Sequence, residues 1–508
     1  MRDRYQPHSD LRHRSGNPAP LRSKAQTRKR PINLPQPRLA QALNKNSLTI
    51  LFRNTMSSKK NNGVSRRKFL GYGAVGVAAA AVAGYGLWSY TQPTAPPTAT
   101  TTATSATQLA TSTETTGEPI ILGMGADIHS ANGPNYINGA QLAVDEINAS
   151  GGVLVNGKRR LFKQVVEDTK EFQPSFVPSE LQTAYTKLII DDNADFIFGS
   201  SGYVCPISEQ YKRIYISGSG GNIDHSKIFW QNGTGPYHLT FQDQIDSRGW
   251  GVEDTMATLY YAKKYKAKKV AWLTEDQAFC HTHLEVMKDI MGKNDIEVDP
   301  ILWCPPGKAN FTSELQAIRS AGSPVTFVEW VGTSSAPIMQ EWRDTKMKTF
   351  WVGMDIPGGV PGVNEKAHGL YDYLVDIEGL SRVPISNMTV PFYDAYMTRF
   401  GGAPDIYAGN YYSAVYMIKG ALEMTQADPK DPEGVEEVAK AIHDTEWTSV
   451  FGKMKFNENN FISPSDPIEE GFVLLFCQWQ GEKDLKVVWP EKFAEVPSIY
   501  PSWHPLPP

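Results

Sequence analysis

Cysteine is sparse in this chain: four residues among 508, at Cys205, Cys280, Cys304 and Cys477. No two stand as Cys-x-x-Cys, so the ligand spacing of a zinc ribbon is missing. In an exported chain the four would allow two disulfides in any of three pairings, and the sequence does not choose between paired and free thiols. No Gly-x-x-x-x-Gly-Lys-Ser/Thr loop occurs, which removes the usual cradle for nucleotide phosphates. Gly123-Met124-Gly125 follows a strand but lacks the third glycine of a dinucleotide fingerprint. Neither of two serine-rich loops forms a Gly-x-Ser-x-Gly elbow, and no Ser/His/Asp order is visible, so catalysis has no positive sign. Charge excess is missing too: the net value is −4 over the whole chain, and only its distribution is informative.

Long apolar runs are equally few. One uncharged stretch of about 20 residues follows Ser65-Arg66-Arg67-Lys68-Phe69-Leu70, long enough to span a bilayer if it is not cleaved. The paired arginines, the Phe-Leu pair and the weakly hydrophobic Ala/Gly run resemble a twin-arginine export signal. Residues 1–64 are basic and poor in periodic apolar positions, which reads as disordered. An export signal starting directly after Met56 makes that residue the expected start, with the preceding segment an over-extended reading frame. Residues 65–90 are therefore signal or anchor, and 91–117, a Thr/Ala/Pro tract, a stalk. Four Asn-x-Ser/Thr triplets in the body, at Asn148, Asn232, Asn310 and Asn387, are compatible with surface glycosylation.

The body is rich where the ends are poor: 41% of the chain is apolar. Ile120–Leu122 suits a buried strand, and Ile137, Ala140, Val144 and Ile147 recur on one face of a helix. Gly151-Gly152 ends that helix, and Leu161–Val166 is a second strand, stopping at Glu167-Asp168. The unit is βαβ, with a right-handed crossover. Further strands are read at 194–198, 214–216, 268–273, 325–330 and 350–353, with a helix at 335–345. That alternation predicts doubly wound α/β architecture, and roughly 390 residues are too many for one sheet.

GAQLAVDEINASGGV followed by a strand ending in VVED resembles the opening of the leucine/isoleucine/valine-binding family, the type I periplasmic solute-binding proteins of ABC importers. PFYDAYMTRFGGAPDIYAGNYYSAVYMIKGALE, at 391–423, fits that family's return to its first lobe. The resemblance implies two lobes joined by three crossovers around a cleft, here expected near 236–245, 372–380 and 450–460. Lobe 1 is then 118–240 with 375–455, and lobe 2 is 241–374 with 456–508. The tail after Phe461, rich in Trp and Pro, has no counterpart in this expectation.

In open α/β sheets solutes bind beyond the carboxyl ends of strands. Two serine loops qualify on that rule, Ser200-Ser201-Gly202 and Ser217-Gly218-Ser219. The resemblance implies that Ser200, Ser201, Ser217 and Ser219 hold a solute carboxylate, and that Asp355 in lobe 2 pairs with its ammonium group. Phe279 stands where the family offers a tyrosine, so a ring remains without the hydroxyl. Tyr203 and Trp330 are candidate cleft walls. The loop Asp127–Gly133 also departs from the family's Pro-x-Thr-Gly turn, so the solute need not be the family's own. His281-Thr282-His283 beside Cys280 is set aside as a metal motif, because i, i+2 spacing does not align two ligands on a helix.

The expectation is an exported, surface-tethered or periplasmic solute-binding protein for branched-chain amino acids or related amino-acid or amide solutes. It works as a monomer with ABC permease subunits as partners, without cofactor, metal or nucleic acid. The alternatives are a ligand-sensing receptor ectodomain, or an exported enzyme using Cys205 or His281.

Overall fold

The computed structural model describes residues 117–504, apart from 131, 174–175, 219–236 and 361. The segments read above as a basic stretch, an export signal and a stalk lie, up to residue 116, outside the described residues, as does Ser219. Among the described residues no helix is long and apolar enough to cross a membrane.

The chain opens with β1 (Ile120–Ala126), α1 (Gly133–Ala149), a hairpin of β2 (Val153–Val155) and β3 (Lys158–Arg160), then β4 (Phe162–Asp168). β1 and β4 pair in parallel, Ile120 opposite Phe162 through Ala126 opposite Asp168, so the βαβ unit forms as read. The hairpin was not expected. Asn156 and Gly157 both take positive φ, 51° and 72°, the left-handed pair that a two-residue hairpin turn requires. Next come α2 (Pro178–Ile190), β5 (Phe196–Gly199), α3 (Cys205–Tyr211), β6 (Ile214–Ser217) and β7 (Thr240–Ile245).

The second lobe starts at α4 (Ser247–Lys264), which packs on β10 and β11 introduced below. It continues through β8 (Lys269–Glu275), α5 (Ala278–Lys293), β9 (Glu297–Cys304), α6 (Thr312–Ala321), β10 (Val325–Trp330), α7 (Ser335–Asp344) and β11 (Phe350–Asp355). Two one-turn helices, α8 (Ile356–Gly359) and α9 (Val363–Lys366), precede β12 (Val375–Ile377). The chain then returns with α10 (Thr389–Phe400), α11 (Ile406–Thr425), α12 (Pro432–Asp444), the hairpin β13 (Trp447–Ser449) and β14 (Gly452–Met454), and β15 (Phe461–Ile462). It ends with β16 (Phe476–Trp479) and β17 (Leu485–Trp489).

Two sheets result. The first has the order β15-β7-β6-β5-β1-β4, parallel throughout. The second has the order β17-β16-β12-β11-β10-β8-β9; its inner strands are parallel, and β16 and β17 join antiparallel. This is the two-lobed, doubly wound fold of type I periplasmic binding proteins. The chain passes between sheets at Asp246, in 378–388 and in 463–475.

The first and third passages fall later than the expected 236–245 and 450–460, and the second overlaps the expected 372–380 but runs on to 388. The reason is the same each time: a strand that still belongs to the sheet being left carries the chain to the passage. Ile245 closes β7, Val375–Ile377 pairs with β11, and Phe461-Ile462 pairs with β7. Lobe 1 is thus built through Ile245 and again through Ile462.

The Trp/Pro-rich tail completes lobe 2. β16 pairs with β12, and Gln478 locks the end of the chain by donating to the Ile499 carbonyl at 3.0 Å and accepting from Ile499 N at 2.8 Å. Tyr500 packs on Phe350, and Trp503 on Trp342. All four cysteines are buried and unpaired.

Candidate functional site

Both sheets end in polar loops, of unlike chemistry. In lobe 1, Gly199 at the end of β5 lies opposite Ser217 at the end of β6. The Tyr411 hydroxyl, from α11, joins the two ends. It donates to the Gly199 carbonyl at 2.6 Å and accepts from Gly218 N at 3.2 Å. Gly199 must be glycine, because a Cβ there would overlap the Tyr185 hydroxyl, itself donating to the Phe198 carbonyl at 3.0 Å. Ser200, Ser201 and Ser217 are buried at these ends. The hydroxyls of Ser200 and Ser217 close no hydrogen bond, so each has capacity for a solute oxygen.

Two acidic residues border this cradle. Asp127, fully buried, accepts from His129 N, Phe172 N and the Gln173 side chain at 3.0–3.1 Å. It thereby pins the loop after β4 to the loop after β1. That loop carries Glu171, which accepts from Thr169 Oγ1 at 3.3 Å and lies beside Ser200. Burial lifts the Glu171 carboxyl to about 7, an effect that Ser200 and Thr169 partly offset. A protonated Glu171 is a donor and tolerates an anion; an ionised one repels it.

In lobe 2 the strand ends are acidic. Glu275 ends β8, Asp355 ends β11, Asp376 is in β12, and Glu378 begins the second passage. Asp355 is fully buried and fully engaged. It accepts from Ser335 Oγ at 2.6–2.7 Å and from Gly358 N at 2.9 Å, capping α8, while its own N–H donates to Asp376 Oδ1 at 2.7 Å. Glu275 accepts from Val331 N through Oε2 at 3.2 Å, but its Oε1 has no partner. Glu378 Oε1 is also without one.

Burial raises Asp355 to about 7, against Ser335 and Gly358, which lower it. Burial and then Asp355 push Glu378 up to about 8. Asp376 is raised by burial, then by Glu378 and Asp355. No Lys or Arg is hydrogen-bonded or ion-paired to these four carboxyls among the described residues. The wall waits for a cation or for protons.

The family model for periplasmic binding proteins matches residues 123–465, more than half of the chain. The chain belongs to that family. A curated relative, an amino acid binding protein of Pseudomonas aeruginosa, is 22% identical over 242 residues, 46% of this chain and 60% of its own. The binding protein thus spans less than two-thirds of that relative's length.

Among solved structures, a branched-chain amino acid ABC transporter from Silicibacter pomeroyi superposes with a TM-score of 0.66 at 19% identity, covering 76% of this chain and all of the other. LivJ from Streptococcus pneumoniae, in complex with isoleucine, superposes at 0.54 and 18% identity, covering 72% and 97%.

The remaining expected site residues are less uniformly placed in this binding protein. Phe279, half-buried at the start of α5, packs edge-on against His283 at 5.5 Å between ring centres. Tyr203 is exposed and faces Phe176. Trp330 has no exposed surface; it packs against Phe311 in the lobe 2 core, and its indole N–H has no hydrogen-bond partner. Sequence reasoning did not single out Glu171, Glu275, Asp376 and Glu378; for Glu275, at the end of β8, and Glu378, directly after β12, the place at a strand end was the available signal. A concavity of about 370 Å³ lies elsewhere, between the first and third passages, and is lined by Asp246, Arg248, Val286, Asn457 and Pro464. None of the strand-end residues lines it.

Proposed function

We propose that this protein is the extracytoplasmic solute-binding component of an ABC importer for branched-chain amino acids or related small amino-acid or amide solutes. It would be exported by the twin-arginine-like segment at 65–90 and would deliver its solute to membrane permease subunits. Ser200, Ser201, Ser217 and Ser219 hold the carboxylate or carbonyl end in lobe 1. Asp355 anchors an acidic wall in lobe 2, and Glu378, half-buried with a bare oxygen, makes the direct approach to the ammonium end. Closure about the three passages brings the two ends onto one solute.

The observation that carries this reading is the pairing of unlike strand ends on two linked sheets: unpartnered hydroxyls on one, carboxyls without cations on the other. A thermal-shift screen of the purified protein against leucine, isoleucine, valine, short amides and aromatic acids tests it. A ligand at a hundred times its Kd adds about 2.7 kcal/mol of stability. A shift with aliphatic amino acids, weakened by Glu378→Gln, is the expected result. A shift with amides or acids that lack an ammonium group would overturn the lobe 2 assignment, and silence across the panel would overturn the solute class.

A further inference from the structure

The interior of lobe 2 holds a second polar cluster, away from the strand ends. His283, on α5, turns inward between Asp254 on α4 and Glu329 on β10. His283 Nδ1 lies 2.5 Å from Glu329 Oε1 and 3.5 Å from Asp254 Oδ2. The three donor atoms all lie within 4.8 Å of one another, and none of the three residues is more than 2% exposed. His281, two residues earlier, points outward, stacking on Trp303 and bonding Asp276. The His-x-His pair is thus split, as its spacing demands, and one member joins donors that are distant in sequence.

We propose that Asp254, His283 and Glu329 form a buried site for a divalent cation, Zn²⁺ by the chemistry of its donors. Three oxygens of the cluster have no hydrogen-bond partner: both Asp254 carboxylate oxygens and Glu329 Oε2. Two carboxylates share one imidazole, and the neighbouring Glu253 is also fully buried with both oxygens unpartnered. Isolated buried anions of this kind are costly unless paired or metal-bound. Protons alone would leave most of these atoms idle, whereas a cation about 2.0–2.2 Å from each ligand atom would gather them. The His283–Glu329 contact would have to widen by about 1 Å to admit it.

One imidazole nitrogen with two carboxylates suits zinc better than calcium or magnesium, which prefer all-oxygen shells. The backbone of Ser247, at the start of α4, faces the imidazole, where metal-bound histidines keep an acceptor for their second nitrogen. Cys280, one turn earlier on the same helix, is buried beside Glu329. The role is a staple. Glu329 pairs across the sheet with Met354 and Thr274, one residue behind the row holding Asp355 and Glu275. A cation there ties α4 and α5 to the strand that backs the acidic wall.

The test uses the full chain without an affinity tag. It is unfolded in EDTA, refolded with or without ZnCl₂, desalted, and assayed by elemental analysis and thermal melting; CoCl₂ replaces zinc for visible d–d absorption. The expected result is one zinc per chain, a melting midpoint raised by several degrees, and cobalt bands. Asp254→Asn and Glu329→Gln, each removing one buried charge at constant volume, should each fold in EDTA and lose all three signals. No bound zinc and no cobalt bands in the wild-type chain would overturn the proposal, as would one zinc per chain retained in both variants. If one variant does not refold, the other carries the test.

Discussion

Removing a single hydroxyl should loosen the lobe 1 cradle. Tyr411→Phe deletes the group that bridges the ends of β5 and β6, where Ser200, Ser201 and Ser217 stand. Its cost depends on what the glycine backbone does next. Gly218 N also donates to the Gly199 carbonyl at 3.0 Å, so neither group is orphaned when the hydroxyl goes. The loss is then one short buried hydrogen bond and a hydroxyl-sized gap, about 1–2 kcal/mol, rather than two desolvation penalties of up to about 3 kcal/mol each. For a unit of roughly 200 residues that corresponds to a fall in melting midpoint of about 3–6 °C. Solute affinity should weaken several-fold, because the serines sit on the two ends no longer joined. Urea unfolding and calorimetric titration of one solute would read both quantities. A stability loss above about 4 kcal/mol would show that the glycine pair cannot survive without the hydroxyl. Unchanged affinity would remove the serine loops from the solute site.

Gly139→Ala should destabilise lobe 1 by about 2–4 kcal/mol in urea unfolding, because its Cβ would overlap the Ala408 carbonyl where α1 meets α11; a neutral result would mean that the helices separate freely. Glu378→Gln should leave stability unchanged or raised, yet weaken ammonium-bearing solutes about tenfold, roughly 1.4 kcal/mol, whereas Asp355→Asn should lower the melting midpoint through the lost Ser335 and Gly358 bonds. Equal effects of the two on affinity and stability would refute that division. Without solute, stability should fall as pH rises from about 4 to about 8. Glu171, Asp355 and Glu378 remain protonated in the fold above the pH at which they ionise unfolded, so the native state binds more protons there. Each such group contributes about 1.4 kcal/mol per pH unit, and a flat pH profile of chemical denaturation would sink the idea.

The parts legible in the sequence were those whose physics is local. The periodicity from Ile137 to Ile147 and the paired glycines that follow are enough to place α1 and its end, and the apolar runs of β5, β6, β10 and β11 declare themselves. The Asn156-Gly157 hairpin is equally local, a pair of left-handed residues between two short strands, but strands of three residues carry little periodicity. Passage boundaries were not local. Two-residue β15 belongs to its sheet only through its pairing with β7, which no window of sequence contains. The same holds for the site. Asp355 was found at a strand end, but its partner Ser335 comes from a helix 20 residues away, and that contact turns an exposed-looking carboxylate into a buried cap. Glu378 follows the shortest strand of its sheet's inner row and so carried little strand signal of its own.

The unlike chemistry of the two lobes has a consequence for solute identity. Glu171 in lobe 1 and Glu378 in lobe 2 are both raised into the neutral range, to about 7 and about 8, but a bound solute drives them in opposite directions. A carboxylate at the serine cradle favours the protonated form of Glu171, so its arrival draws a proton in. An ammonium at the acidic wall favours ionised Glu378, so its arrival expels one. A zwitterionic amino acid does both, and near pH 7.5 the exchange largely cancels. A solute with only a carboxylate takes protons up, and one with only an ammonium releases them. Titration calorimetry in buffers of different ionisation enthalpy measures this net transfer directly. For isoleucine the observed enthalpy should hardly depend on buffer in the wild-type protein, and Glu171→Gln should convert the balance to net release. If that variant changes nothing, Glu171 does not face the solute, and the carboxylate end must be held elsewhere.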